Sequence, residues 1–316
     1  MIEYVVRRVL YGLLVIALVT VFVFLTLRLI PGDVVRLQLA DAPGVTPEQI
    51  AARSAALGLD QPLFAQLFKF LGGAFTGDFG TSFQSNLPVT QMIGERLPIT
   101  LQLGLMALVI SILLGIPLGL LSAYKQNSWL DQSLRVVTVA GLSIPNFWLG
   151  LLLVTYLAIW FSWSPPLVYR TPAEDLASNL TQMALPALAL GVAGMAGIAR
   201  LLRSSLLEVM RSNFVRTVRA KGAPERTVLF THAVRNSLIP VFSLIGVQVG
   251  AILGGTVILE SIFAIPGMGS MIFESVRVRD YPVVLGCVVV FGAVFVTVNL
   301  VVDLLYGVID PRIRYA

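Results

Sequence analysis

Few residues of this 316-residue chain could do chemistry, and they are scattered. The chain has one histidine, His232, and one cysteine, Cys287, and its 17 acidic residues are dispersed. A metal site needs a cluster of ligands, and nucleophilic catalysis needs a nucleophile, a base and an orienting group within reach of one another. The phosphate-binding pattern G-x-x-x-x-G-K-[ST] does not occur. The sequence therefore predicts neither an enzyme nor a chain that binds a metal or ATP by itself.

The composition indicates a membrane protein. Hydrophobic residues make up 57% of the chain and charged residues only 12%, whereas a soluble domain has roughly 45–50% apolar and about 25% charged residues. This balance excludes a disordered chain, a disulfide-stabilised secreted domain and a nucleic-acid-binding domain. The net charge of +5 therefore needs an explanation other than nucleic acid.

Six segments are apolar and long enough to span a bilayer, which takes about twenty residues each. Backbone amides in lipid must be paired within the segment, so each span is predicted to be an α-helix. The predicted spans are residues 9–30, 98–124, 134–160, 182–202, 237–262 and 282–308. The prediction is an all-α membrane protein with an N-terminus and first helix at 1–30, a folded loop at 31–97 and a five-helix core at 98–316.

Lysine and arginine are concentrated in alternate loops, and this asymmetry predicts the orientation. The basic segments are the N-terminus with Arg7 and Arg8, the loop with Lys125 and Arg135, the segment 200–235, and the C-terminus with Arg312 and Arg314. We therefore expect both termini in the cytoplasm and the loop at 31–97 outside it. Anionic lipid or a protein partner on the basic face accounts for the net charge.

The loop at 31–97 carries helix signals. Thr46 is a suitable N-cap, and Pro47 suits the first helical position. A second amphipathic stretch covers residues 63–71. The glycine-rich residues 72–80 are expected to form a loop.

Ionisable residues are rare in the spans and lie near the predicted span ends, which disfavours an ion-coupled pathway. They are Arg28, Arg200, Glu260 and Asp303. Small residues are common instead, and they allow helices to approach closely. In the fifth span two interpretations stay open: tight packing of the bundle, or a glycine face that lines a transport pathway. The pathway candidates are Gly246, Gln248, Gly250 and Gly254.

The segment 200–235 mixes apolar and basic residues at helical spacing and is interrupted at Gly222 and Pro224. It is predicted to form a helix, a break and a second helix. One side is cationic, and the other is apolar through Phe214, Val215, Val218, Val228 and Leu229. Such an element suits a groove on a soluble partner, although a basic face next to the membrane also suits anionic lipid.

Residues 213–240 read Asn-Phe-Val-Arg-Thr-Val-Arg-Ala-Lys-Gly-Ala-Pro-Glu-Arg-Thr-Val-Leu-Phe-Thr-His-Ala-Val-Arg-Asn-Ser-Leu-Ile-Pro. This run resembles the EAA loop of ABC-importer permeases, most closely in the dipeptide/oligopeptide-type branch. The acidic residue that gives the loop its name is replaced by Thr217-Val-Arg-Ala220, while Gly222 is kept. Motifs similar to that branch cover essentially the whole chain, and they include Ile30-Pro-Gly-Asp33, Gly77-Asp-Phe-Gly-Thr-Ser82, Ser143-Ile-Pro-Asn-Phe-Trp148, Pro266-Gly-Met-Gly269 and Asp303-Leu-Leu-Tyr-Gly-Val-Ile-Asp-Pro-Arg312.

The resemblance implies a type I ABC-importer permease fold in the bacterial cytoplasmic (inner) membrane. It implies a second homologous permease, two ATP-binding subunits that use ATP and Mg²⁺, and an extracytoplasmic solute-binding protein, while this chain binds no cofactor. Peptides are the default cargo. The residues implied to couple to the ATPase are Phe214, Val215, Arg216, Arg219, Ala220, Gly222, Arg226 and His232.

Two other classes of function stay open at this stage. One is an ion-coupled transporter or channel that acts alone, and the other is a non-transporting scaffold or receptor whose basic segment recruits a partner. Within the branch that the chain resembles, the cargo also varies among dipeptides, oligopeptides, glutathione, nickel chelates, peptide antibiotics and sugar derivatives.

Overall fold

The computed structural model describes residues 2–30, 34–35 and 46–309. Within these ranges the chain is helical apart from its connections and one isolated bridge between Thr81 and Pro88. A π-helical segment, Val228–Ala233, lies between the ninth and tenth α-helices. The α-helices are α1 (Ile2–Leu29), α2 (Pro47–Ala56), α3 (Leu63–Thr76), α4 (Val89–Tyr124), α5 (Trp129–Ser143), α6 (Asn146–Phe161), α7 (Leu176–Met210), α8 (Asn213–Ala220), α9 (Glu225–Thr227), α10 (Val234–Ser237), α11 (Ile239–Ile262), α12 (Met268–Arg277) and α13 (Tyr281–Ile309).

Five of these helices, α1, α4, α7, α11 and α13, are long and apolar enough to cross a membrane. The third predicted span, residues 134–160, is not the continuous helix that we expected, because α5 and α6 are bent by 106° where they meet. Pro145 has no backbone N–H, and Ile144 before it is extended, with ψ 123°. Counted as one broken span, this pair brings the total to six. The all-α, multi-span prediction is therefore confirmed, and the continuity of its third span is wrong.

The chain divides into two compact units, and the first takes its described residues from Met1–Thr100 and Pro266–Val296. Its core is a cluster of aromatic and aliphatic side chains: Phe24, Leu27, Leu67, Phe83, Tyr281, Val284 and Leu285. Asp280 is only 2% exposed. Its carboxylate accepts hydrogen bonds from the hydroxyl of Ser82 and, at 3.0 Å, from the backbone N–H of Phe83. This contact fixes the turn that precedes α4.

The two short helices of the first unit follow the local signals only in part. Thr46 caps α2, because its hydroxyl accepts from the N–H of Gln49 and the Gln49 side chain accepts from the N–H of Thr46. Helix α3 continues to Thr76, so the expected loop at 72–80 is wrong for its first residues. A side chain at Gly73 would lie 2.5 Å from the carbonyl oxygen of Asp78. That glycine permits a close approach inside the helix, and the helix ends at Gly77, whose φ is +81°.

The second unit comprises Leu101–Ile265 and the residues from Thr297 onward, and α7 lies at its centre. Helices α5, α6 and α11 all pack against α7. Two glycines of α4 also face it at close range. An alanine methyl group at Gly115 would lie 2.9 Å from the carbonyl oxygen of Met195, and one at Gly119 would lie 2.8 Å from that of Ala199. Here the small residues bring helix backbones into contact.

Replacing Gly119 by alanine should destabilise the protein. The new methyl group would meet the backbone of α7, which cannot move without shifting the helix, so we expect a loss of about 1–3 kcal/mol. Gly94→Ala is the matched control, since Gly94 is exposed on the same helix with no atom within 4 Å of its added methyl group. Thermal unfolding of the detergent-solubilised variants measures the difference. An equal melting temperature for the two variants would contradict the packing role of Gly119.

Candidate functional site

The segment 211–238 forms the predicted helix, break and helix. Ser212 caps α8 by accepting a hydrogen bond from the N–H of Val215, and the break follows at Gly222 with φ +81°. This left-handed conformation is one that glycine adopts without steric cost. Helix α9 starts after Pro224, and the chain then runs through the π segment and α10 into α11. The local signals of the sequence therefore located this break.

The structure divides the predicted site residues of α8 between two sides. Phe214 is 50% exposed, and its ring meets that of His232 edge-on at 5.9 Å between centroids. Val215 is fully buried. The apolar residues that we placed on one docking side are therefore split, and Val215 supports the segment from inside while Phe214 remains accessible.

Charge on this segment is partly used within the chain. Arg219 donates to both carboxylate oxygens of Glu225, at 2.6 and 3.2 Å, across the turn at Gly222. These hydrogen bonds hold the pKa of the Glu225 carboxyl below its ordinary value. We had expected Arg219 to be available to acids of a partner, but in this structure it closes the turn instead.

The remaining predicted coupling residues lie on the outside of the segment. Arg216, Ala220, Gly222 and Arg226 are all exposed. Within residues 2–30, 34–35 and 46–309, neither Arg216 nor Arg226 forms an ion pair. The accessible surface of this segment therefore consists of one aromatic ring, two unpaired arginines and an unobstructed glycine turn.

The four candidates on α11 do not share one face. Gln248 is 9% exposed, and its side-chain amide donates to the carbonyl oxygen of Gly194 on α7 at 3.0 Å. Gly246 packs against Val302, which lies 2.9 Å from where its methyl group would be. Gly250 is half-buried, while Gly254 is exposed with open space around it. Two residues along a helix differ by about 200° in direction, which separates Gln248 from the glycines at positions 246, 250 and 254.

The exposed face of α11 is a stripe that the sequence reading missed. Its members recur three or four residues apart and are mostly small or hydroxyl-bearing: Ser243, Val247, Ala251, Gly254, Ile258 and Ser261. The exposed face of α4 carries large aliphatic side chains instead: Leu101, Leu105, Val109 and Leu113. A count of small residues at helical spacing could have found the α11 stripe.

Comparison with known proteins matches both parts of the chain to family models. Residues 115–315 match the model described as binding-protein-dependent transport system inner membrane component. Residues 1–104 match the model of the N-terminal part of a binding-protein-dependent transport system membrane component.

Individual relatives are similar along the full length. A putative peptide transport system permease protein of Brucella abortus is 39% identical over 98% of both chains. The dipeptide transport system permease protein DppB of Alkalihalophilus pseudofirmus is 37% identical, and the oligopeptide transport system permease protein AppB of Bacillus subtilis is 36% identical, each over 100% of both chains.

A solved structure has a similar fold. The MetNI methionine ABC transporter, in an inward-facing conformation, contains a chain that aligns with a TM-score of 0.54 at 16% identity. The alignment covers 70% of the present chain and 97% of that one. At this identity the likeness concerns the fold alone.

Burial of Val215 yields a prediction about the integrity of the segment. Val215→Asp should open α8, because an unpaired carboxylate in an apolar interior costs several kcal/mol. Trypsin should then cleave after Arg216, Arg219 or Lys221 at least about tenfold faster, since each 1.4 kcal/mol raises the open population tenfold. Phe214→Asp is the adjacent control and should leave cleavage close to that of the native protein. Equal cleavage of the two variants would show that Val215 does not anchor the segment.

Proposed function

The chain belongs to the family of binding-protein-dependent transport system inner membrane components, and we propose that it is one of two transmembrane permease subunits of an ATP-driven peptide importer. It is a multi-pass inner membrane protein with the fold of ABC-importer permeases. The names of its relatives specify peptide, dipeptide and oligopeptide transport. Those names support di- or oligopeptides as the cargo of this importer.

The proposed complex has five chains. This permease pairs with a second, homologous permease; two ATP-binding subunits bind ATP and Mg²⁺ on the cytoplasmic side; and an extracytoplasmic solute-binding protein delivers the peptide. The chain itself is not catalytic. Both of its termini and the segment 200–235 lie in the cytoplasm in this proposal, and the loop at 31–97 faces the solute-binding protein.

The observation that carries the coupling role is the exposed turn at Gly222. Helix α8 and the turn place Phe214, Arg216 and Arg226 on the outside, while buried Val215 and the Arg219 to Glu225 pair keep the element rigid. An amphipathic helix with an aromatic anchor and arginines suits a groove rimmed by acidic residues. We propose that this surface enters such a groove on an ATP-binding subunit, and that ATP-driven closure of those subunits moves it.

Affinity purification of the tagged protein from its native membranes tests this proposal. Mild detergent should preserve the complex, and mass spectrometry should identify a homologous permease together with one or two ATPases that carry the phosphate-binding loop. Recovery of the chain alone, or only with copies of itself, even after cross-linking, would refute the importer assignment.

Gly222→Asp should keep the protein inserted and lose the ATPase from the purified complex. No atom lies within 4 Å of an added methyl group at Gly222, and Asp is among the residues that tolerate a left-handed backbone. Folding should therefore survive, while a carboxylate now obstructs the docking surface. Gly58→Asp is a matched control, with φ +68° and equally open space, but in the loop predicted to be extracytoplasmic. Full peptide uptake by a normally expressed Gly222→Asp variant would refute the assigned role.

We propose that the exposed face of α11 lines the peptide pathway opposite the second permease. Small and hydroxyl-bearing side chains leave room for a peptide and can hydrogen-bond to its backbone, whereas the large aliphatic face of α4 suits lipid. Of the four residues first considered, Gly254 lies on this face. Gly246 and Gln248 would instead hold α11 against its neighbours in the same chain.

Cysteine accessibility separates these two faces. In a Cys287→Ser background, which removes the buried native thiol, Ala251→Cys and Gly254→Cys should react with a water-soluble methanethiosulfonate in the assembled importer. Leu105→Cys on the exposed face of α4 should react at least about tenfold more slowly, because thiolate formation and reagent access both require water. Similar rates at the three positions would contradict a pathway along α11.

A further inference from the structure

Asp131 is a buried carboxylate held by four hydrogen bonds. Its side chain is 0% exposed. The guanidinium of Arg203 donates to both carboxylate oxygens, each at 2.8 Å. The hydroxyl of Ser122 donates at 2.6 Å and the backbone N–H of Asn127 at 3.0 Å. A bidentate, fully satisfied pair of this kind fixes orientation as well as distance.

The pair joins α5 to the end of α7 that leads into the segment 211–238. Arg203 lies two turns before the end of α7 at Met210. Beside it, Leu206 of α7 packs with Ala123 of α4 and Ala233 of the π segment in one buried cluster. The same short stretch of α7 thus contacts both the return strand of the proposed coupling segment and, through Arg203, the first turn of α5.

A second contact fastens the other end of α5 to α7. A methyl group at Gly141 would lie 3.3 Å from that of Ala196 and 3.2 Å from the Cγ1 of Val192. Ten residues of helix, about 15 Å, separate Asp131 from Gly141. Helix α5 is therefore fixed to α7 at two widely separated points, and the bend before α6 begins directly beyond the second.

We propose that Asp131 and Arg203 are positioning residues for energy coupling: their ion pair makes α5 move with α7 and the coupling segment as one rigid body. Movement of the coupling segment then reaches the bend at Ile144 and Pro145, and α6 beyond it responds. Without the ion pair, α5 would stay attached only at Gly141, and movement at the cytoplasmic end of α7 would be lost before it reached α6. This inference rests on the proposed importer function.

A covalent link tests whether α5 and α7 move together. The distance between the Gly141 and Ala196 side chains is close to the 3.5–4.5 Å that disulfides require between their Cβ atoms, roughly without backbone movement. Gly141→Cys with Ala196→Cys, in a Cys287→Ser background, should form a disulfide on oxidation. In the reconstituted complex, peptide uptake should be the same with the link oxidised or reduced. Failure of the link to form, or a block of uptake that reduction relieves, would overturn the rigid-body proposal.

Removal of the ion pair tests its role in coupling. Asp131→Asn should lower the number of peptides taken up per ATP hydrolysed by about tenfold, because hydrogen bonds to a charged group are lost at a buried site. Arg135→Gln is the control: Arg135 is 51% exposed and lies 3.8 Å from Asp131, and its loss should leave that ratio unchanged. A purely structural defect would reduce assembly and both rates together and leave the ratio intact.

The two experiments combine in a rescue. Oxidising the disulfide in the Asp131→Asn background should restore uptake per ATP to within about twofold of the native ratio, since the link replaces the lost attachment. Arg203→Lys, which keeps the charge but loses the bidentate geometry, serves if Asp131→Asn does not assemble. An unchanged ratio in these variants would overturn the inference alone, whereas a native complex whose uptake does not depend on ATP would overturn the proposed importer function.

Discussion

Close approach of helix backbones to α7 is the constraint on which the second unit depends. Glycines at positions 115 and 119 of α4 and at 141 of α5 bring those helices within contact of α7 backbone or short side chains. In lipid there is little hydrophobic drive for helices to associate, so packing and interhelical hydrogen bonds must hold them. The polar contacts of α7 follow from this closeness, because Gly194 leaves room for the amide of Gln248. A larger side chain at these positions would displace the helix that carries the proposed coupling segment.

The sequence predicted what each segment decides by itself. Spans follow from hydropathy because every backbone group in lipid must be paired within its own helix, and the cap at Thr46 and the break at Gly222 are local signals of a few residues. Residue orientation could not be predicted so well. Val215 and Gln248 point inward because of neighbours distant in sequence, and the bond from Arg219 to Glu225 crosses a turn outside regular helical spacing. The bend at Pro145 was visible in the sequence but was outweighed by the continuous apolar run.

Polar groups in this protein serve two different purposes according to their depth. Within the described part of the spans they are mostly neutral and bind the backbone of an adjacent helix, as Ser111 does with the carbonyl oxygen of Gly191 at 2.9 Å. At the predicted cytoplasmic end they are charged and connect separate elements, as Asp131 and Arg203 do. This division keeps the spans adaptable along their sides, while the elements that would receive force from an ATPase are fastened to one another.

The π segment Val228–Ala233 has a consequence for angular phase. A π turn accommodates one more residue than an α turn over the same axial distance, and each residue of a helix rotates direction by about 100°. The backbone between Thr227 and Leu238 stays in the right-handed helical region, so the extra residue is carried forward into α11 as a rotation. The face that α11 exposes is therefore out of phase with a helical wheel extrapolated from α9. Losing a single residue from the π segment would turn the small side chains of the fifth span about a quarter of a revolution away from their present direction.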